Sequence, residues 1–186
     1  MIETERLLLR QWQEIDLEPF AKLNADPDAM RYFPAPLSRE ESDSLAARFK
    51  DIITTNKGWG FWAVELKATK EFVGTVGLLH QADRFDFSPC TEIGWRLARS
   101  FWHQGIAQEA ATSALNFAFN QLRLDEVVSF TSVHNTPSED LMKRLGMLKQ
   151  GDFMHPALAA DSYLAEHVLY KITKTNWAQR QKNSIG

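Results

Sequence analysis

Apolar positions follow two spacings along this chain, and the two spacings alternate. Short apolar or alternating runs bounded by polar turns predict strands. Seven such runs occur, at residues 7–12, 61–66, 72–79, 91–97, 126–132, 148–153 and 165–172. Apolar residues three and four positions apart predict four helices, at residues 16–24, 38–54, 106–121 and 137–145. This order of strands and helices predicts a single domain of the α/β class (α+β).

Capping residues support the predicted starts of two helices. Asp16 is a predicted N-cap, and Ser38 with Glu41 fits a capping box. Neither a repeat nor a linker interrupts the chain. Because the sequence turns polar near its end, we expect one domain over residues 1–173 and a polar C-terminal tail over residues 174–186.

Composition narrows the class of protein. The 186 residues are 44% hydrophobic and 24% charged, as in ordinary globular proteins, and the net charge of −3 gives no reason to expect nucleic acid as a partner. The one cysteine, Cys90, excludes an intrachain disulfide and a cysteine-based metal site. The sequence contains no apolar run of about 18 residues, so we expect a cytoplasmic protein without a membrane segment. We also expect no metal.

A loop between the strand at 91–97 and the next helix is the first candidate binding site. It ends at Gly105, and small residues follow it. Backbone N–H groups at a helix start have no partner within the helix, and the helix dipole is positive there, so such a start suits a phosphate. Glycine also serves ordinary turn geometry, so Gly105 alone leaves both interpretations open. P-loop and dinucleotide-binding glycine motifs are absent.

A second candidate segment follows the strand at 126–132. It carries Asn135 and Ser138, an amide and a hydroxyl, at the end of that strand. Both residue types also favour helix caps and turns, so capping is the competing interpretation.

Together these segments resemble a known family. The motifs are Thr4-Glu5-Arg6-Leu7-Leu8-Leu9-Arg10, Glu92-Ile93-Gly94-Trp95-x-Leu97, Phe101-Trp102-His103-Gln104-Gly105-Ile106-Ala107-Gln108-Glu109-Ala110, Asn135-x-x-Ser138 and Leu145-Gly146-Met147. Their combination is similar to the GCN5-related N-acetyltransferase (GNAT) superfamily, in the branch of the ribosomal-protein N-terminal (alanine/serine) acetyltransferases. The resemblance implies a mixed, mostly antiparallel sheet of about seven strands, with a splayed central pair, flanked by about four helices.

The resemblance also implies acetyl-CoA as acetyl donor. Its pantetheine arm would lie in a gap between the strands at 91–97 and 127–132, and its pyrophosphate would accept from the N–H groups of residues 102–107. The expected cofactor-binding residues are Trp95, Arg96, Leu97, Trp102, His103, Gln104, Gly105, Ile106, Ala107, Asn135 and Ser138. His103 stands where the family commonly has glycine, which puts the N–H geometry there in question. Its side chain either contacts a phosphate or faces solvent.

The family mechanism is direct transfer to a primary amine. The resemblance suggests Glu92 as general base and Ser138 as general acid, with a backbone N–H near Leu97 for the developing negative charge. Glu92 is otherwise an exposed strand carboxylate or one paired with Arg96. Alternates near the last strand are Glu166, His167 and Tyr170. Cys90 has no evident histidine partner in the sequence and is not expected to be a nucleophile.

The acceptor is the open question at this stage. The leading candidate is the N-terminal α-amine of a protein, such as a ribosomal protein, and a small amine follows closely. Residues that either line an acceptor pocket or belong to the core are Tyr32, Phe33, Trp59, Phe61, Asp83, Phe85, Asp86 and Phe87. A non-catalytic acyl-CoA-binding module and a nucleotide-binding protein are the alternative functions. Monomer and homodimer both stay open.

Overall fold

The computed structural model describes residues 1–183, which form eight strands and five helices. The elements are β1 (Ile2–Glu3), β2 (Leu7–Arg10), α1 (Leu17–Ala25), α2 (Arg39–Thr55), β3 (Phe61–Leu66), β4 (Phe72–Gln81), β5 (Cys90–Leu97), α3 (Ile106–Asn120), β6 (Glu126–Ser132), α4 (Thr136–Arg144), β7 (Leu148–Met154), β8 (Glu166–Thr173) and α5 (Lys174–Asn183). Short 3₁₀ turns cover Glu14–Asp16 and Arg99–Phe101. All seven predicted strands and four predicted helices are present; β1 and α5 are additional.

The strands form one sheet in the order β1-β2-β3-β4-β5-β6-β8-β7. The pairs β1/β2, β2/β3, β3/β4, β6/β8 and β7/β8 are antiparallel. The pair β5/β6 is parallel, with Glu92 opposite Val128. The sheet is therefore mixed and mostly antiparallel, which confirms the predicted fold class. Divergence of β5 from β6 beyond this pair stays a prediction.

The chain divides into two compact units, and two strands and a helix pass through both. The first unit comprises Met1–Leu78 and Gly94–Ala114, and the second comprises Leu79–Ile93 and the chain from Leu115 onward. In the first unit, the rings of Trp12, Phe20 and Phe72 pack together with centroids 4.7 to 6.0 Å apart. This aromatic core joins α1 to the strands of that unit.

Glycine lets β4 and β5 approach closely within the first unit. Gly74 has a φ of +152°, and a Cβ there would lie 2.2 Å from the carbonyl oxygen of Arg96. The N–H of Ala98 donates to the carbonyl of Val73 at 3.0 Å. Any larger residue at 74 would push β5 away, so this contact fixes the end of β5 from which the candidate phosphate loop starts.

The side chain of Asp16 has a different role from the one predicted. It occupies the N-cap position of α1, as predicted, but its side chain does not accept from an N–H group of α1; Oδ2 accepts from the N–H of Gln13 at 2.8 Å, at the start of the preceding 3₁₀ turn. Its carboxylate also accepts from Arg10, at 2.7 Å from Nη1 and 2.9 Å from Nη2, and Arg10 Nε donates to Glu65 at 2.7 Å. A buried guanidinium needs carboxylate partners, and that demand outweighs the cap. The capping box of Ser38 and Glu41 is confirmed.

Residues 174–183 of the polar C-terminal segment form a helix, for which the sequence pattern made no prediction. In the second unit, the indole of Trp177 is 3% exposed, lies 6.1 Å from the Phe119 ring, and donates from Nε1 to Asn116 Oδ1 at 3.0 Å. A single apolar residue in a polar segment has no periodicity, so the pattern gave no helix signal. Residues 184–186 of the predicted tail lie outside the described residues, and a domain limit at 173 stays a prediction.

Candidate active site

The loop after β5, in the first unit, presents a run of backbone N–H groups. The N–H of Phe101 donates to Ala98 and that of Trp102 to Arg99, both at 3.0 Å, and the first bond of α3 runs from Glu109 to the carbonyl of Gly105. Among the described residues, the N–H groups of residues 103–108 have no backbone acceptor. The run of N–H groups without a backbone acceptor is expected from the sequence to begin at Trp102. It begins at residue 103, because the N–H of Trp102 donates to the carbonyl of Arg99.

Two residues of this loop have left-handed backbone angles. The φ of His103 is +59° and that of Gly105 is +75°. His103 therefore adopts the backbone angle that a glycine would supply at this place, and its side chain is exposed. A Cβ on Gly105 would meet only Arg6 Nη2, at 3.5 Å, so the space in front of its backbone is open. Open space and free N–H groups are what a phosphate needs.

An ion pair from the N-terminal segment holds this loop. Arg6 donates from Nε to Glu109 Oε2 at 2.6 Å and from Nη1 to the carbonyl of Gln104 at 2.9 Å. The other oxygen, Oε1 of Glu109, accepts from the Arg6 N–H at 2.9 Å and from Thr4 Oγ1 at 2.6 Å. Burial raises the pKa of Glu109, but these hydrogen bonds outweigh it and the net pKa is below its ordinary value.

Arg6 and Glu109 were not predicted as site residues. Both lie inside the motifs that carry the resemblance, so the sequence contained the signal. Nothing in either motif alone indicates that the two pair, because they are 103 positions apart.

The other predicted cofactor residues of the first unit differ in what they expose. Leu97 and Ile106 have buried side chains and offer only backbone groups. Trp102 is 38% exposed, and its Nε1 donates to the carbonyl of Leu97 at 2.9 Å. Gln104 donates from its side chain to the carbonyl of Ser100. Trp95 and Ala107 are partly buried.

Arg96 does not point its guanidinium toward the loop at 103–108. Nη1 donates to Asn24 Oδ1 at 2.6 Å, and Cζ lies over the ring of Phe33. The second interpretation of Glu92, as a partner of Arg96, therefore finds no support in the bonds that Arg96 makes.

Glu92 belongs to the second unit. It is partly buried, and its Oε2 accepts from Gln81 Nε2 at 3.2 Å. Ser129 donates from its hydroxyl to the carbonyl of Ile93 at 2.9 Å, which fixes β5 to β6 next to Glu92. The Glu92 carboxylate is thus hydrogen-bonded to Gln81, and its strand is hydrogen-bonded to β6 through the Ser129 side chain.

Asn135 and Ser138 lie together at the start of α4. Asn135 is the N-cap, and its Oδ1 accepts from the N–H of Ser138 at 3.3 Å. Its Nδ2 donates to Ser138 Oγ at 3.1 Å and to Thr131 Oγ1 at 2.8 Å. The capping interpretation of Asn135 is confirmed. The same bonds hold the Ser138 hydroxyl in a defined position.

Sequence and fold comparisons decide the family. The profile described as "Acetyltransferase (GNAT) domain" matches residues 6–148. The chain belongs to the GNAT acetyltransferase family. It is therefore an N-acetyltransferase of a family that uses acetyl-CoA as donor.

Two curated relatives and two solved structures illustrate the spread of the family. The chain is 30% identical to the "FsC-acetyl coenzyme A-N(2)-transacetylase" of Aspergillus fumigatus, over 88% of this chain and 72% of the relative. It is 27% identical to the "[Ribosomal protein uS5]-alanine N-acetyltransferase" of Escherichia coli, over 58% and 54%. A GNAT acetyltransferase from Bacillus anthracis superposes with a TM-score of 0.79 at 23% identity, covering 94% and 98%. Spermidine N-acetyltransferase from Vibrio cholerae, solved with CoA and spermine, gives 0.73 at 20%, covering 94% and 99%.

The first unit of this GNAT chain fits the phosphates of acetyl-CoA. The N–H groups of residues 103–108 are free of backbone acceptors, and the space at Gly105 is open. Arg6 Nη2 lies at the same place and offers a further N–H donor, while the charge of its guanidinium is balanced by Glu109. Anions favour such a combination of backbone and side-chain N–H donors.

The alternates near β8 are less suited to acid–base work. Tyr170 donates to Glu139 Oε1 at 2.7 Å, and burial, with that carboxylate, raises the pKa of Tyr170 to about 12. His167 is buried among aromatic rings, and burial lowers its pKa. Glu166 is exposed at the start of β8.

Of the predicted pocket aromatics, Phe85 is buried in the core of its unit, whereas Tyr32, Trp59, Phe61 and Phe87 are partly buried. Phe61 stacks on Phe49 at 5.0 Å in the first unit. Phe85 stacks on Phe87 at 4.9 Å and packs against Phe130 in the second. Phe33 differs, because its ring is 36% exposed.

Three further findings limit the chemistry. Cys90 is buried, and burial raises the pKa of its thiol, so it is poorly suited to nucleophilic attack. Residues 1–183 contain no group of three or more side chains placed to hold a metal ion. Over the same residues, no helix has the length and apolar character needed to span a bilayer.

Proposed function

We propose that this chain transfers the acetyl group of acetyl-CoA directly to a primary amine on a small molecule. The observation that carries the proposal is the loop at 103–108, where free N–H groups, the left-handed angles of His103 and Gly105, and the guanidinium of Arg6 meet. This combination favours a phosphate-bearing donor.

The residues that would hold the donor act through the backbone. The N–H groups of residues 103–107 would donate hydrogen bonds to the pyrophosphate, and Trp95 and Leu97 would border the pantetheine arm. Trp102 would support this end of β5 through its bond to the Leu97 carbonyl. Asn135 would contribute by holding Ser138.

Acetyl-CoA supplies the acetyl group as an activated thioester. Glu92 would accept the proton of the attacking amine, directly or through water, since amines are largely protonated at neutral pH. The N–H of Leu97 would stabilise negative charge on the carbonyl oxygen. The Ser138 hydroxyl would donate a hydrogen bond to the leaving sulfur.

Two kinds of acceptor have support. The relative from Aspergillus fumigatus, whose name gives FsC and an N(2) position and mentions no protein, aligns over 88% of this chain and supports an acceptor other than a protein N-terminus. A protein N-terminus is favoured by the uS5-alanine relative, which aligns over 58%. The longer alignment is the reason for placing the small molecule first.

An acceptor panel tests the proposal. Purified protein with acetyl-CoA is offered amino acids, polyamines and N-terminal peptides, thiol release is followed, and the products are identified by mass spectrometry. We expect release with small primary amines and an acetylated product. Tight acetyl-CoA binding without release for any acceptor would contradict the enzyme proposal, and binding of ATP in place of acetyl-CoA would favour a nucleotide-binding protein. Release with peptides alone would move the acceptor to protein N-termini.

A further inference from the structure

Arg96 is a buried cation with unusual neighbours. Its Nη1 donates to Asn24 Oδ1 at 2.6 Å, and its Cζ lies 4.1 Å from the centroid of the Phe33 ring. Its Nε is buried and has no hydrogen-bond partner among the described residues. An amide and an aromatic ring therefore surround the guanidinium, and neither carries a negative charge.

The amide that holds Arg96 is itself fixed. Asn24 is 0% exposed, and its Nδ2 donates to the buried Ser42 hydroxyl on α2 at 2.9 Å. This bond directs Oδ1 toward Arg96. The guanidinium is thus positioned by two helices of the first unit rather than by chance surface contacts.

The same unit shows how this fold ordinarily compensates an arginine. Arg10, also buried, has Asp16 and Glu65 as partners. The exposed Arg99 pairs with both Asp26 and Asp28. Among residues 1–183, no carboxylate lies within ion-pair distance of Arg96.

An uncompensated buried charge costs stability, and proteins retain such costs mainly at functional sites. Burial lowers the pKa of Arg96 to about 10, so the side chain is still cationic at neutral pH. The residue as a whole is partly buried rather than fully enclosed. A negatively charged group of a ligand would therefore balance the charge of the Arg96 guanidinium.

Two observations indicate which anion this is. The phosphates of the donor are proposed to bind the N–H groups of residues 103–108, and the guanidinium contacts Asn24 and Phe33 instead. The planar fork of a guanidinium matches a carboxylate through paired hydrogen bonds. Arg96 also directly precedes Leu97, whose N–H is proposed to face the reacting carbonyl, so an anion here would belong to the acceptor.

We propose that Arg96, held by Asn24 and Phe33, binds a carboxylate of the acceptor, so that the acceptor is an amino carboxylate rather than a polyamine. This inference rests on the proposed function, because only an acetyltransferase has an acetyl acceptor that Arg96 could bind. The exposed edge of Phe33 would contact the carbon atoms next to that carboxylate.

Matched pairs of acceptors test the subsite. Each free amino acid is compared with its C-terminal amide, which keeps the α-amine and removes the carboxylate. We expect kcat/KM to favour the acid over the amide by about tenfold or more, the effect of a charge-assisted hydrogen bond. Arg96→Met should abolish that ratio, and Arg96→Lys should retain part of it. Arg39→Met, an exposed arginine of the same unit, should leave the ratio as in the wild type.

Thermal unfolding with the amino acids, without acetyl-CoA, separates this inference from the proposed function. The free amino acids, but not their amides, should raise the Tm of the wild-type protein. Arg96→Met should lose this ligand-induced shift. The Tm of Arg96→Met without ligand should be equal to or above the wild-type value. A shift without any acetyl transfer would support the subsite and contradict the enzyme proposal. Transfer at equal rates to acids and amides would overturn the subsite alone. A lower Tm for Arg96→Met with an unchanged acid-to-amide ratio would show a structural role instead.

Discussion

Arg6 donates to Glu109 through both its backbone N–H and its Nε, at 2.9 and 2.6 Å. The same guanidinium bonds the carbonyl of Gln104 at 2.9 Å and reaches the open space at Gly105. The N-terminal segment therefore holds the first turn of α3 and the loop before it in one conformation. The conformation of the loop depends on a side chain that the loop itself does not contain.

Replacing Glu109 by glutamine tests this dependence. Glu109→Gln removes the charge that holds Arg6, so we expect the Kd for acetyl-CoA to rise by about three- to tenfold and the free energy of unfolding to fall by about 1–2 kcal/mol. Tryptophan fluorescence titration and urea unfolding measure the two effects. Glu18→Gln, which removes an exposed glutamate paired with Arg39, is the control and should change neither value. An unaltered Kd in Glu109→Gln would limit the pair to a structural role.

Gly105→Val tests the phosphate site. The φ of +75° disfavours valine by about 1–2 kcal/mol, and the side chain would occupy the space expected for a phosphate. We expect acetyl-CoA affinity to fall strongly, by about tenfold or more. Gly58 is a matched control, because it has a φ of +115° and no atom within 4 Å of an added Cβ. Gly58→Val should carry a similar stability cost without the loss of affinity; equal losses would trace the effect to backbone strain.

Glu92→Gln tests the proposed base. The variant keeps a hydrogen-bonding group beside Gln81 but cannot accept a proton. We expect kcat to fall by about 10²-fold or more and acetyl-CoA affinity to be retained. Steady-state kinetics with a reactive amine provide the measurement. Glu166→Gln, the exposed alternate, should behave as the wild type; the reverse result would transfer the role to Glu166.

Acid should destabilise the second unit through His155. Burial, with the nearby His167 and Arg84, lowers the pKa of His155 to about 4. The unfolded chain then binds a proton more readily than the folded chain, so stability is full above the unfolded pKa of about 6.5 and decreases as pH falls from there toward 4. Because the partly exposed ring is screened by solvent, the loss over that range should be below the full linkage value, on the order of 2 kcal/mol. Urea unfolding at both ends of the range measures it.

The variant His155→Phe supplies the comparison for that experiment. Phenylalanine keeps the packing against Phe85 and Phe130 and removes the titrating group. Its stability should depend less steeply on pH over the same range. An equal slope in both proteins would assign the acid sensitivity to His167 or to the carboxylates.

The sequence by itself determined the order of the predicted elements, the family and the position of the candidate phosphate loop. Seven strands and four helices follow from local periodicity, and the capping box of Ser38 and Glu41 from a pattern four residues long. The glycine before α3 is equally local. These strands, helices, caps and turns depend on residues that are close in sequence, so the sequence alone predicts them.

Only the tertiary structure decided which side chains pair. Arg6 meets Glu109 across 103 positions, Arg96 meets Asn24 across 72, and Trp177 meets Asn116 across 61. The Asp16 carboxylate pairs with Arg10 although the residue stands at the N-cap position of α1, and Arg96 has no carboxylate partner among residues 1–183. Burial determines which charges must be compensated, and folding determines which partners are near. Periodicity carries no information on either, since both depend on contacts between distant segments.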